Sequence, residues 1–194
     1  TVQTTTTQQV SIANETAVST PSSATSVSQA TAAASSSQNQ SKYEANVASV
    51  AGKMDNRVIA AYQQLGFKLV VDPSVNYSGY FDARSRSITM KQIDDSVYHE
   101  LGHFLAFIAG NVDKTASFQS IFVAEKANVT AFNKAYVTQN ASEYFAESVK
   151  DYILNNASLK NTRPQTYAAV QNALNQITDA QIAKIQKIYG AFWN

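Results

Sequence analysis

YHELGHFLAF, residues 98–107, contains both histidines of a 194-residue chain. His99 and His103 stand four positions apart, with Glu100 beside the first. On a helix of 3.6 residues per turn, Val97, Leu101, Phe104 and Ile108 form one apolar stripe, which predicts the core-facing side. The two histidines project from roughly the opposite side, next to the small residues Ala106 and Gly110, where a second segment can approach. Imidazoles one turn apart can both reach one ion at about 2 Å, as zinc requires. Glu100 lies about 100° further round and can reach a water on the metal without ligating it. HExxH alone occurs by chance in many proteins. Here the only histidines both fall in it, on the non-core face of an amphipathic helix, and the reading is a zinc site with one Zn²⁺ per chain.

Working outward from this helix, Asp94 or Asp95 can cap its start and Gly110 its end. Before it, GYFDARSRSITMK (79–91) has period-two character on both sides of an Arg-Ser turn, which predicts a hairpin leading to a strand at Ser87–Met90. FKLVVD (67–72) reads as a short buried strand closed by Pro73. Val47, Val50, Met54, Val58, Ile59 and Tyr62 form one helical stripe over residues 42–67, ended by Gly66. After the histidines the pattern is helical throughout: Lys114 to about Ala135, Glu143–Leu154, Pro164–Ile177 and Asp179–Phe192. The predicted fold is α+β, a small twisted sheet or hairpin followed by a mainly helical domain.

Composition bounds the function. A net charge of +1 gives no reason to expect nucleic acid as a partner. The chain has no cysteine, which excludes thiolate metal sites and cysteine nucleophiles. No apolar run is long enough to cross a bilayer, so membrane insertion is not expected. Residues 1–42 are rich in Ser, Thr, Gln and Ala and read as a disordered leader or stalk of the kind carried by exported surface proteins. Residues 43–194 hold every aromatic residue and nearly every charge, and form the expected folded domain.

Two histidines do not complete a catalytic zinc site, which takes three protein ligands and an open position. A third histidine is excluded, since the chain has none. Carboxylates remain: Asp113, Glu125, Glu143, Glu147, Asp151 and Asp179. In NASEYFAESVKDYI (140–153), Glu143 and Glu147 share one side of a helix and Phe145, Val149, Tyr152 and Ile153 make the other. Spacing alone divides evenly between a ligand and a solvated acidic face.

HELGH followed forty positions on by EYFAE, with Tyr136 between them, resembles the catalytic domain of the anthrax lethal factor family. That group of gluzincins includes small secreted proline-specific endopeptidases of Gram-positive bacteria. The resemblance extends over roughly residues 69–153. It implies a zincin domain with the HExxH helix at the active site and Glu143 as third zinc ligand. It also implies that Tyr136 acts on the substrate oxyanion and that Glu147 stands behind the metal, bonded to a ligand histidine. The implied activity is a secreted zinc endopeptidase hydrolysing extracellular or cell-surface proteins, proline-rich sites included, with Glu100 as general base toward the attacking water. Ser142 before Glu143, and a lone tryptophan at Trp193, depart from the proline-specific members. The expected partner is a protein or peptide bound in extended form, paired with the strand around Ser87–Met90, with Tyr80 or Phe81 walling a subsite. The chain is expected to be a monomer. The alternative is a zinc-stabilised binding or adhesion module without catalysis, for which Glu100 and Tyr136 would be superfluous.

Overall fold

A computed structural model of the protein describes residues 41–193. The stalk expected over residues 1–42 lies outside the described residues, apart from Ser41 and Lys42. The architecture is α+β, as the sequence predicts: a small mixed sheet packed on a larger helical layer. The strands are β1 (Tyr43–Ala45), β2 (Lys68–Val71), β3 (Gly79–Asp82) and β4 (Ser87–Met90), in the order β1-β2-β4-β3. β1 and β2 are antiparallel, β2 and β4 parallel, and β3 and β4 form the expected hairpin. The hairpin turn is held by the Asp82 carboxylate, which accepts from the Arg84 N–H and the Ser85 hydroxyl, both at 2.8 Å.

The helix expected across residues 42–67 is broken. Its stripe is buried, Val50 only in part, but Tyr43–Ala45 pairs as β1, and two polar caps divide the remainder. Asn46 caps α1 (Val47–Val50), and Asp55 caps α2 (Asn56–Gln64) by accepting from the Arg57 N–H. Such caps satisfy amide donors that a continuous helix would have paired internally, so each one starts a new element. Gly66, with φ of 74°, ends α2 as expected.

α3 (Ser96–Ile108) carries the histidines. The Asp94 side chain, rather than that of Asp95, accepts from the Ser96 N–H at 2.9 Å. The helix expected from Lys114 to Ala135 is shorter, because Thr115 caps α4 (Ala116–Glu125) and a 3-10 turn follows at Lys126–Asn128. A separate turn, α5 (Lys134–Val137), carries Tyr136. Then come α6 (Ala141–Leu154), α7 (Asn156–Thr162), α8 (Pro164–Asn175) and α9 (Asp179–Tyr189). α7 falls in a polar stretch with no stripe for periodicity to detect.

α3 and α6 form the closest helix pair. A Cβ on Gly102 would lie 2.7 Å from the Cα and carbonyl oxygen of Ala146, so the two backbones touch. This corrects the expected two-faced α3. Leu101, Phe104 and Ile108 are fully buried in the core, and the histidine side is covered too, by α6, leaving His99 and Glu100 buried as well. At the chain's end Trp193 donates its indole N–H to the Ala83 carbonyl at 2.9 Å, tying the C-terminus to the β3–β4 hairpin.

Candidate metal centre

His99, His103 and Glu143 converge, each offering one ligand atom, and the three atoms lie within 4.8 Å of one another. His99 Nε2 is 3.1 Å and His103 Nε2 3.6 Å from the same oxygen, Glu143 Oε2. Ligands about 2.0–2.2 Å from a tetrahedral zinc stand roughly 3.4 Å from each other, so Glu143 Oε2 stands at ligand separation from both imidazoles. The α3–α6 contact explains why. Gly102 and Ala146 let the axes close, and the side chains one position from each of them, His103 and Glu147, and beyond them His99 and Glu143, meet across the seam.

Asn140 prepares the α6 side. It is the N-cap, and its side-chain oxygen accepts from the Glu143 N–H at 2.9 Å, fixing the first turn that presents this carboxylate. One turn further on, Glu147 is buried and its Oε2 accepts from His99 Nδ1–H at 2.9 Å. Because an ionised carboxylate can only accept, this bond places a proton on Nδ1 and turns Nε2 toward the ion. Lys150 lies 3.4 Å from the other Glu147 oxygen.

The titrations follow from these contacts. Burial pushes His99 down, but its bonds to Glu143 and Glu147 and the charge of Glu100 outweigh it, raising the imidazole to about 9. Burial pushes Glu143 up, and the bonds to His103 and His99 reverse that, leaving it well below the usual carboxylate range. Glu147 is lowered in the same way by His99 and Lys150. Glu100 behaves oppositely: burial raises it, and the nearby histidines and the Phe81 N–H offset this only in part. Of Glu100, Glu143 and Glu147, Glu100 is the one pushed toward neutrality.

Glu100 packs directly beneath β3. A Cβ on Gly79 would lie 2.7 Å from both Cγ and Oε1 of Glu100, so only glycine leaves room for this carboxylate. Tyr136 is half-exposed, lines the cleft above Glu100 and His103 and sits with its ring centroid 6.5 Å from that of His99. Burial and the charge of Glu143 raise its phenol to about 12, so it keeps its proton at neutral pH. All six residues singled out in the sequence therefore gather around one centre. Of the other candidate carboxylates, Asp113 lines the same cleft without joining the three ligand atoms, and two are engaged elsewhere. Asp151 pairs with Arg163, and Glu125 accepts from the Gln165 and Thr166 N–H groups at the start of α8.

The strand expected to pair with a substrate, β4, lies inside the sheet. β4 has β2 on one side and β3 on the other, so its hydrogen-bonding edges are occupied. β3 is the edge strand beside the centre. The Lys91 N–H donates to the Ser78 carbonyl at 2.9 Å, and antiparallel pairs alternate, so Gly79 and Phe81 turn their N–H and C=O groups away from β4. Tyr80 is exposed there and closes on Tyr77, while Phe81 stacks on Phe67 in the core. Period-two patterning identified both strands but could not order them in the sheet. Gly79 was also beyond reach of the sequence, since its role lies in a contact with a residue twenty-one positions away.

Residues 83–173 match the family described as anthrax toxin lethal factor, N- and C-terminal domain. This segment is lethal-factor-like. It contains His99, Glu100, His103, Tyr136, Glu143 and Glu147, and leaves out β1, β2 and β3. No curated protein matches the chain.

Proposed function

We propose that the protein is a zinc-dependent endopeptidase. The observation that carries this reading is the joint arrangement at the α3–α6 seam: three ligand atoms within 4.8 Å of one another, with Glu100 buried beside them and raised in pKa. A zinc-stabilised binding module needs the ligands but has no use for a perturbed carboxylate next to them. The lethal-factor-like segment adds independent support.

Bound by His99, His103 and Glu143, zinc would supply a Lewis acid for the scissile carbonyl and a lowered pKa for water. Glu100 takes the proton from the attacking water and returns it to the leaving amine. Tyr136 donates its phenolic hydrogen bond to the oxyanion of the tetrahedral intermediate. Glu147 holds the His99 tautomer throughout. An extended substrate adds along β3, exchanging hydrogen bonds with the edge groups of Gly79 and with the Phe81 carbonyl, the Phe81 N–H being engaged by Glu100.

Secretion and extracellular protein substrates are part of the proposal, supported by the Ser/Thr-rich composition of residues 1–42. No helix among the described residues is long and apolar enough to cross a membrane. The test is cleavage of a mixed peptide library by the zinc-loaded chain, followed by mass spectrometry, with and without a chelator. Chelator-sensitive cleavage lost in Glu100→Gln supports the reading. Zinc-loaded protein that cleaves nothing overturns it in favour of a binding module.

A further inference from the structure

Alongside Glu100 and His103 the cleft forms a cavity of about 320 Å³, lined in part by Phe81, Ala83, Phe107 and Asp113. Asp113 is 3% exposed. Among the described residues no donor and no cation reaches its carboxylate. Only its backbone carbonyl is engaged, accepting from Gln119 Nε2 at 3.1 Å. Asp113 lines the cavity with no ion pair or side-chain hydrogen bond among the described residues, so its carboxylate is open to an incoming donor.

The backbone is bent to bring Asp113 there. α3 ends in two successive left-handed residues, Gly110 at φ 82° and Asn111 at φ 58°. The Asn111 N–H folds back to the Ala106 carbonyl at 2.8 Å, and Asp113 follows in a 3-10 turn over Val112–Lys114. Asparagine tolerates this conformation better than most residues, yet it remains uncommon outside glycine. Of the other charged groups lining the cavity, Glu100 and Glu143 belong to the metal centre. Lys114 is exposed and forms no ion pair among the described residues, so it leaves the Asp113 carboxylate open.

We propose that this cavity is the subsite for a lysine or arginine side chain of the substrate, with Asp113 accepting its N–H groups. The apolar walls of Phe81, Ala83 and Phe107 suit the methylene stem of such a side chain, whose charged end needs a carboxylate. The assignment rests on the peptidase reading, deepens it, and can fail separately from it.

Two measurements decide it. In the peptide library, one position adjoining the scissile bond should favour Lys and Arg over Leu and Gln by roughly 10- to 100-fold, and Asp113→Asn should abolish that preference. Cleavage without a basic preference at any position overturns the subsite and leaves the peptidase reading standing. Independently of turnover, n-butylguanidinium titrated into the zinc-loaded chain and followed by NMR should shift resonances of the cavity residues saturably. Its binding should weaken about tenfold or more in Asp113→Asn. Equal binding to both proteins overturns the proposal. If no peptide is cleaved but this binding depends on Asp113, the peptidase reading fails and the cation site is upheld. Should Asp113→Asn not fold, the residue preference of the wild-type chain decides alone.

Discussion

His99 is held from both sides, with Glu147 on Nδ1 and Glu143 facing Nε2, and this asymmetry separates two glutamates that the sequence could not rank. Their one-turn spacing was legible, and so was the histidine pair. Which of them faces the metal depends on how α6 is rotated against α3, a property of the packed seam that periodicity does not encode. Glu143→Ala leaves two histidines and should lose zinc outright in a metal titration. Glu147→Ala removes only the partner of His99 and should weaken metal affinity or activity by roughly 10- to 100-fold. The reverse order would show that the two roles are exchanged. Glu100→Gln keeps the carboxylate's shape and the space under Gly79, so zinc content and melting temperature should stay close to wild type. Its kcat should fall by about 10²- to 10⁴-fold, the usual contribution of a general base. A variant that still turns over at the wild-type rate would remove Glu100 from the mechanism.

At the scale of elements, the seam is set by Gly102 and the rear of α6 by Asp151. The glycine of HELGH looks like a neutral spacer in sequence, whereas in the fold it is where α3 meets the Ala146 backbone. Gly102→Ala must part the helices, because backbone atoms cannot swing aside as a side chain can. It should lower stability by about 1–3 kcal/mol, as overpacked cores do, and weaken zinc binding with it. Calorimetry with a parallel zinc titration checks both; unchanged values would mean the seam yields more easily than its geometry indicates. Asp151 continues the Glu143–Glu147 spacing and reads as one more solvated acid, yet it pairs with the buried Arg163, which also donates to Ser148 Oγ at 3.0 Å. Asp151→Ala strands that guanidinium, so chemical denaturation should show a loss of about 3 kcal/mol. A loss too small to measure would class the pair with ordinary surface ion pairs. The same limit explains the misread elements. Apolar stripes located α2, α3, α6, α8 and α9, but the caps at Asn46, Asp55 and Thr115 are single polar residues that periodicity passes over.

Across the whole molecule, the centre joins α3 to α6, so a metal bound there would be linked to global stability. The metal-free chain has a signature of its own. His99 is raised to about 9 between its two carboxylates, against an ordinary value near 6.5 in the unfolded chain. A raised folded pKa contributes stability that is complete below the unfolded value and disappears as pH climbs through the folded one. Glu143 and Glu147 are lowered, so their share is complete above the ordinary carboxylate range and does not change in this window. The metal-free protein should therefore melt at progressively lower temperature from pH 6.5 to pH 9. Zinc must displace the Nε2 proton of His99 to bind, so the loaded protein loses nothing by this route, and its affinity for the ion rises as that proton becomes easier to remove. The gap between the melting temperatures of zinc-loaded and chelator-treated protein should widen steadily between pH 6.5 and 9. Thermal scans at several pH values measure it directly, with Glu147→Gln as control, since a neutral amide no longer supports the charged imidazole and should flatten the trend. A gap that stays constant with pH would mean that His99 is already neutral in the metal-free protein, its proton on Nδ1 and Nε2 free for the ion, and the raised imidazole would be ruled out.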